Sequence, residues 1–74
     1  MQKIAAIIKR SVIIKGRKTS VSLENPFWDG LKLIAKGRNL GVSKLVQEIY
    51  ETSQPENLSS SIRLYVLRHY QQAP

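Results

Sequence analysis

The chain has 74 residues, with twelve Lys and Arg against five Asp and Glu, and no cysteine. Its net charge of +7 points to a polyanionic partner, and the missing cysteine excludes disulfides and thiolate metal sites, so a reducing cytoplasm is the expected compartment. One core of this size supplies only about 3–5 kcal/mol, which leaves oligomerisation as the available staple.

The charge is unevenly spread. Residues 1–20 hold Lys3, Lys9, Arg10, Lys15, Arg17 and Lys18 and no acid, whereas the remaining residues hold six basic and five acidic side chains. Residues 1–10 read as a basic arm. Its run Ile4-Ala5-Ala6-Ile7-Ile8 is too short for a signal-peptide core, and no segment approaches the length of a membrane span. Ile4, Ile7 and Ile8 share helical spacing, but the β-branched Ser11-Val12-Ile13-Ile14 that follows reads better as extended chain. Gly16 ends this second extended stretch. No membrane partner is expected.

Lys18-Thr19-Ser20-Val21-Ser22-Leu23 alternates polar and apolar residues with a period of two, predicting a strand over about 18–23. Thr19, Val21 and Leu23 point one way, and Lys18, Ser20 and Ser22 the other. A continuous strand from Val12 would put Val12 and Ile14 on the polar side, so a bulge or turn is expected near Gly16-Arg17. The strand has no evident partner in so short a chain. Its simplest mate is its own copy in a second subunit, giving a ribbon of a size to enter the DNA major groove.

Three helices follow, predicted at about 26–38, 42–53 and 58–71. The first starts at Pro26 with Asn25 as cap and Asp29 in its first turn, and carries Phe27, Leu31 and Ile34 on one stripe. Gly30 and Gly37 weaken it by about 1 kcal/mol each relative to alanine, and Asn39 suits the left-handed residue that ends it. Leu45, Val46, Ile49 and Tyr50 make the apolar face of the second helix, which Ser53-Gln54-Pro55-Glu56 breaks. Asn57 caps the third, whose inner side carries Leu58, Ile62, Tyr65, Val66 and Tyr70. Trp28, Tyr50 and Tyr65 are expected in the core.

Catalytic chemistry is missing. His69 is the one histidine, the acids are scattered and the four glycines stand singly, so no acid–base pair, metal cluster or phosphate loop forms. An enzyme is not expected, and no cofactor is implied.

The run Lys18-Thr-Ser-Val-Ser-Leu-Glu-Asn-Pro-Phe-Trp-Asp-Gly-Leu-Lys-Leu-Ile-Ala resembles the ribbon-helix-helix family of DNA-binding proteins. So does Asn57-Leu-Ser-Ser-Ser-Ile-Arg-Leu-Tyr-Val-Leu-Arg-His-Tyr, similar to the third helix of one bacterial branch. The likeness covers residues 10–70. It implies a mainly α fold with one N-terminal β-strand, an intertwined homodimer sharing an intermolecular antiparallel ribbon, and a third helix over a domain of residues 11–74. By position, Lys18, Ser20 and Ser22 would face DNA bases, and Gly41, Val42, Ser43 and Lys44 at the start of helix two would hold a phosphate. Two departures stand out: Gly41 where many members have Ser or Thr, and Asn39 where many have glycine. Arg10, Lys15 and Arg17 are the further candidates for phosphate contacts. The expected function is a transcriptional regulator, a repressor, binding double-stranded DNA as a homodimer. Two alternatives stay open: an antitoxin-like module that clasps a protein partner through helix three, and a non-specific nucleic-acid binder. A larger assembly of dimers on DNA is a further expectation.

Overall fold

Lys15 and Gly16 both take positive φ, 52° and 78°. Two consecutive left-handed residues form the mirror-image turn whose twist matches that of antiparallel strands. In this computed structural model, which describes residues 6–53 and 57–72, the turn folds β1 (Ile7–Ile14) back on β2 (Arg17–Glu24) as a hairpin. The register runs from Ile7 opposite Glu24 to Ile14 opposite Arg17.

The expectation of a single strand mated across a subunit boundary is corrected here: the partner of β2 is β1 of the same chain. The apolar, β-branched Val12-Ile13-Ile14 is long enough to pair once the turn brings it back. The turn also resolves the parity conflict around Gly16. Val12 and Ile14 are buried on the same face as Val21 and Leu23. Residues 7–10, expected as an arm, form the first half of β1. The remainder of that arm, residues 1–5, and the break at residues 54–56 lie outside the described residues.

Three helices follow: α1 (Asn25–Gly37), α2 (Val42–Ser53) and α3 (Leu58–Gln72). The architecture is a ribbon-helix-helix with one helix added. Pro26 lies in the first turn of α1, but Asn25 is not its cap. Glu24 holds that position without a side-chain bond, and the Oδ1 of Asn25 accepts from Arg10 instead. Asp29 falls beyond the first turn and pairs with Lys32 at 3.7 Å on the surface. At the other end Asn39 takes φ 62°, as its cap chemistry predicts. Asn57 Oδ1 accepts the N–H of Ser60 at 3.2 Å and caps α3.

The core joins one ribbon face to one stripe of each helix. Val12, Ile14, Val21 and Leu23 meet Leu31, Ile34 and Ala35 of α1, Leu45, Val46 and Ile49 of α2, and Ile62 and Val66 of α3. Tyr50 and Tyr70, expected inside, are both exposed. Tyr50 lies where α2 runs past the hairpin tip, in a cleft it shares with Ile14, Lys15, Arg17 and Thr19. The ring of Tyr70 lies over Gly30, at whose Cβ position Val66 Cγ1 already stands within 2.9 Å. Gly30 is therefore a point of close approach between α1 and α3, so its helix-weakening backbone has a packing reason.

Candidate nucleic-acid interface

Directly opposed residues in an antiparallel pair share a face. The outward face of the hairpin thus carries Lys9 beside Ser22, Ser11 beside Ser20, and Ile13 beside Lys18. Lys9, Ser11, Ile13, Lys18 and Ser20 are exposed, while Ser22 is half-buried. The N–H of Ile13 donates outward to Ser43 Oγ at 3.0 Å and that of Ser22 to Ser59 Oγ at 2.8 Å. Outward-pointing amides mark the pairs that do not bond each other, so these outer-face pairs are the closely spaced kind, with Cα atoms about 4.5 Å apart. They form one compact row, polar except for Ile13.

Helices cover both edges of this ribbon. On the β1 side, Ser43 takes the Ile13 amide and Gln47 Oε1 takes the Lys15 amide at 3.2 Å. On the β2 side, Ser59 takes the Ser22 amide, and Arg63 donates to the Ser22 carbonyl at 3.0 Å and to Glu24 Oε1 at 2.8 Å. Such cover blunts an edge that would otherwise pair with another chain. Helix α3 accordingly holds the ribbon in place as well as filling the core.

The part-buried Glu24–Arg63 pair also carries a pH dependence. The Arg63 hydrogen bond, helped by a backbone bond, holds the Glu24 carboxyl below the usual carboxylate range. A carboxyl whose pKa is lower in the folded than in the unfolded chain stabilises above its unfolded value and loses that contribution as pH falls through the folded one. Stability measured by denaturant titration should therefore decline on the acid side. Glu24→Gln should flatten part of that decline. Identical acid limbs in the two proteins would show that the pair carries none of it.

The other sequence-predicted residues divide into three groups. Lys15 sits in the turn with an exposed side chain, and exposed Arg17 follows it, by register on the core side opposite Ile14. Arg10 also faces the core side. Its guanidinium lies 5.0 Å from the Trp28 ring centroid and donates to the Leu23 carbonyl and to Asn25 Oδ1. It clasps β1 to the start of α1 by cation–π and hydrogen-bond contacts. Gly41, Val42, Ser43 and Lys44 open α2, with Gly41 and Lys44 exposed. The Gly41 carbonyl accepts the first intrahelical bond, from Leu45 at 3.1 Å, so by position the amides of residues 42–44 have no acceptor within the helix. Because Ser43 also holds Ile13, this helix start is fixed against the ribbon.

Sequence reasoning missed Lys9, Ser11 and Ile13. The signal was present in the parity break at Gly16, since a two-residue turn at 15–16 places each of them opposite a residue already assigned to the outer face. Among the described residues, no group of three or more His, Cys, Asp or Glu is placed to hold a metal ion, and no helix is long and apolar enough to cross a membrane.

A family model described as a ribbon-helix-helix domain matches residues 7–70. The solved structure of an uncharacterized protein from Bordetella pertussis Tohama I is similar, with a TM-score of 0.79 and 30% identity over 90% of this chain. This chain spans 58% of that protein's length. No curated relative matches.

Proposed function

This chain belongs to the ribbon-helix-helix family, whose members are DNA-binding regulators, and from that premise we propose that it is a sequence-specific repressor. It binds duplex DNA as a homodimer, each subunit laying its own hairpin in the major groove. The observation that carries this reading is the outward row of Lys9, Ser11, Ile13, Lys18 and Ser20, backed by a core that buries the opposite face. A two-stranded ribbon of this width fits the major groove, where lysine and serine can reach base edges. Lys18, Ser20 and, at the margin of the row, Ser22 read bases. The tip residues Lys15 and Arg17 and the α2 start, Gly41 to Lys44, hold phosphates through charge and free amides. Arg10 contributes by holding β1 to α1. Net positive charge gathered at the ribbon draws the duplex in before any base is read.

The test is selection of bound sites from random duplex DNA at physiological salt, followed by alanine variants on the selected and on random duplexes. Lys18→Ala and Ser20→Ala should cost about 1–3 kcal/mol on the selected site and much less on random DNA. Lys15→Ala and Arg17→Ala should weaken both, and lower the salt slope by roughly 0.9 for each phosphate no longer neutralised. Absence of an enriched site, or equal losses on the selected and random duplexes for Lys18→Ala and Ser20→Ala, would make the chain a non-specific binder.

A second reading, an antitoxin-like module with a protein partner on α3, has one observation in its favour. Leu64 and Leu67 are each 47% exposed on the side of α3 away from the core. Retention of full duplex affinity by Leu64→Ser/Leu67→Ser is expected if that surface serves a protein and not DNA.

A further inference from the structure

An isoleucine stands at the tip end of the reading face, in the last outward pair before the turn. Ile13 is 48% exposed, on the outward side of β1, with Lys18 directly opposite and Ser11 and Ser20 forming the adjacent pair. Its neighbours across and along the ribbon are all polar, so no apolar cluster covers it there. Its main chain is held firmly: the amide donates to Ser43 Oγ at the N-terminal turn of α2. The outward face has another exposed isoleucine, Ile7, but that one stands opposite Glu24, an acid paired with Arg63, at the ribbon's far end. Ile13 alone of the two lies among the cations and hydroxyls that would meet DNA.

We propose that Ile13 reads a thymine by packing on its 5-methyl group, on the base pair next to a guanine held by Lys18. The inference rests on the ribbon entering the major groove. There thymine is the one base that presents a methyl, and lysine pairs with guanine O6 and N7. Ile13 and Lys18 belong to a closely spaced pair, whose Cβ atoms are about 4.5–5.5 Å apart. That spacing is about 1–2 Å wider than the rise of about 3.4 Å between neighbouring base pairs, a difference that the flexible four-carbon stem of Lys18 takes up. The bond to Ser43 makes the contact rigid, because whatever phosphate the α2 amides hold fixes the distance from the backbone to the Ile13 side chain.

The experiment uses the duplex that the full chain selects, with each thymine replaced in turn by deoxyuridine, which removes the methyl and leaves the hydrogen-bonding edge unchanged. Binding is measured for the wild type, Ile13→Ala and Lys18→Ala. One thymine position should cost the wild type roughly fourfold in affinity, the value of one buried methyl. Ile13→Ala should lose at least as much on the thymine duplex and become indifferent to uracil at that position alone. Ile13 is exposed, so the variant should keep its fold, and an unchanged circular dichroism melt checks this. Uracil effects that are the same in wild type and Ile13→Ala, or absent from both, overturn the assignment. Loss of discrimination in Lys18→Ala alongside such a result leaves the groove-reading ribbon standing and removes Ile13 only. Full affinity of Lys18→Ala for the selected site removes the ribbon reading itself.

Discussion

Val21→Lys is expected to unfold the domain at neutral pH, whereas Ser20→Lys, one residue away, leaves it folded. Val21 is 1% exposed on the core side of β2, packed with Leu23, Val12 and the three helices, and Ser20 faces outward beside Ser11. An ammonium group forced into the first position has no acid to meet, since no polar or charged side chain among the described residues is buried. The desolvation penalty is several kcal/mol, comparable with the whole stability of a domain this small. At Ser20 the added lysine stays hydrated and joins a face that is already basic. Circular dichroism melts of the two variants make the comparison. A folded Val21→Lys beside an unfolded Ser20→Lys would invert the strand's faces, and with them the placement of Lys18, Ser20 and Ile13.

The second large effect is expected far from the ribbon. Gly30→Leu should cost about 2–3 kcal/mol, because the first carbon added already meets Val66 Cγ1 at 2.9 Å and Tyr70 at 3.3 Å. Valine is branched at Cβ and cannot swing clear by rotating a distant bond, so α1 and α3 must part. Gly37, by contrast, has open space at its Cβ position, and Gly37→Ala should stabilise by up to about 1 kcal/mol through helix propensity. Chemical denaturation of the pair reads both signs. A Gly30→Leu variant as stable as the wild type would mean that α3 is not closely seated on α1, and the hold of Ser59 and Arg63 on the ribbon edge would lose its anchor.

What the sequence determined by itself was what depends on neighbours along the chain. Alternation over residues 18–23 separated Val21 and Leu23 from Lys18 and Ser20, and the structure buries the first two and exposes the others. Asn57 as a cap and Asn39 as a left-handed residue were legible because capping and φ preference are properties of one or two residues. Pairing was not legible in that way. Whether residues 11–15 returned along the strand or lay over the core depended on the turn at Lys15-Gly16, and lysine is a poor advertisement for a left-handed position. Tertiary structure also decided where long side chains went. Arg10 reaches α1 and stacks on Trp28, and Tyr50 lies beside the hairpin tip. The covering of both ribbon edges required α2 and α3 to be in place first. Hydrogen bonds such as Ser43 to Ile13 and Arg63 to Glu24 join residues 30 and 39 positions apart, a separation at which periodicity carries no information.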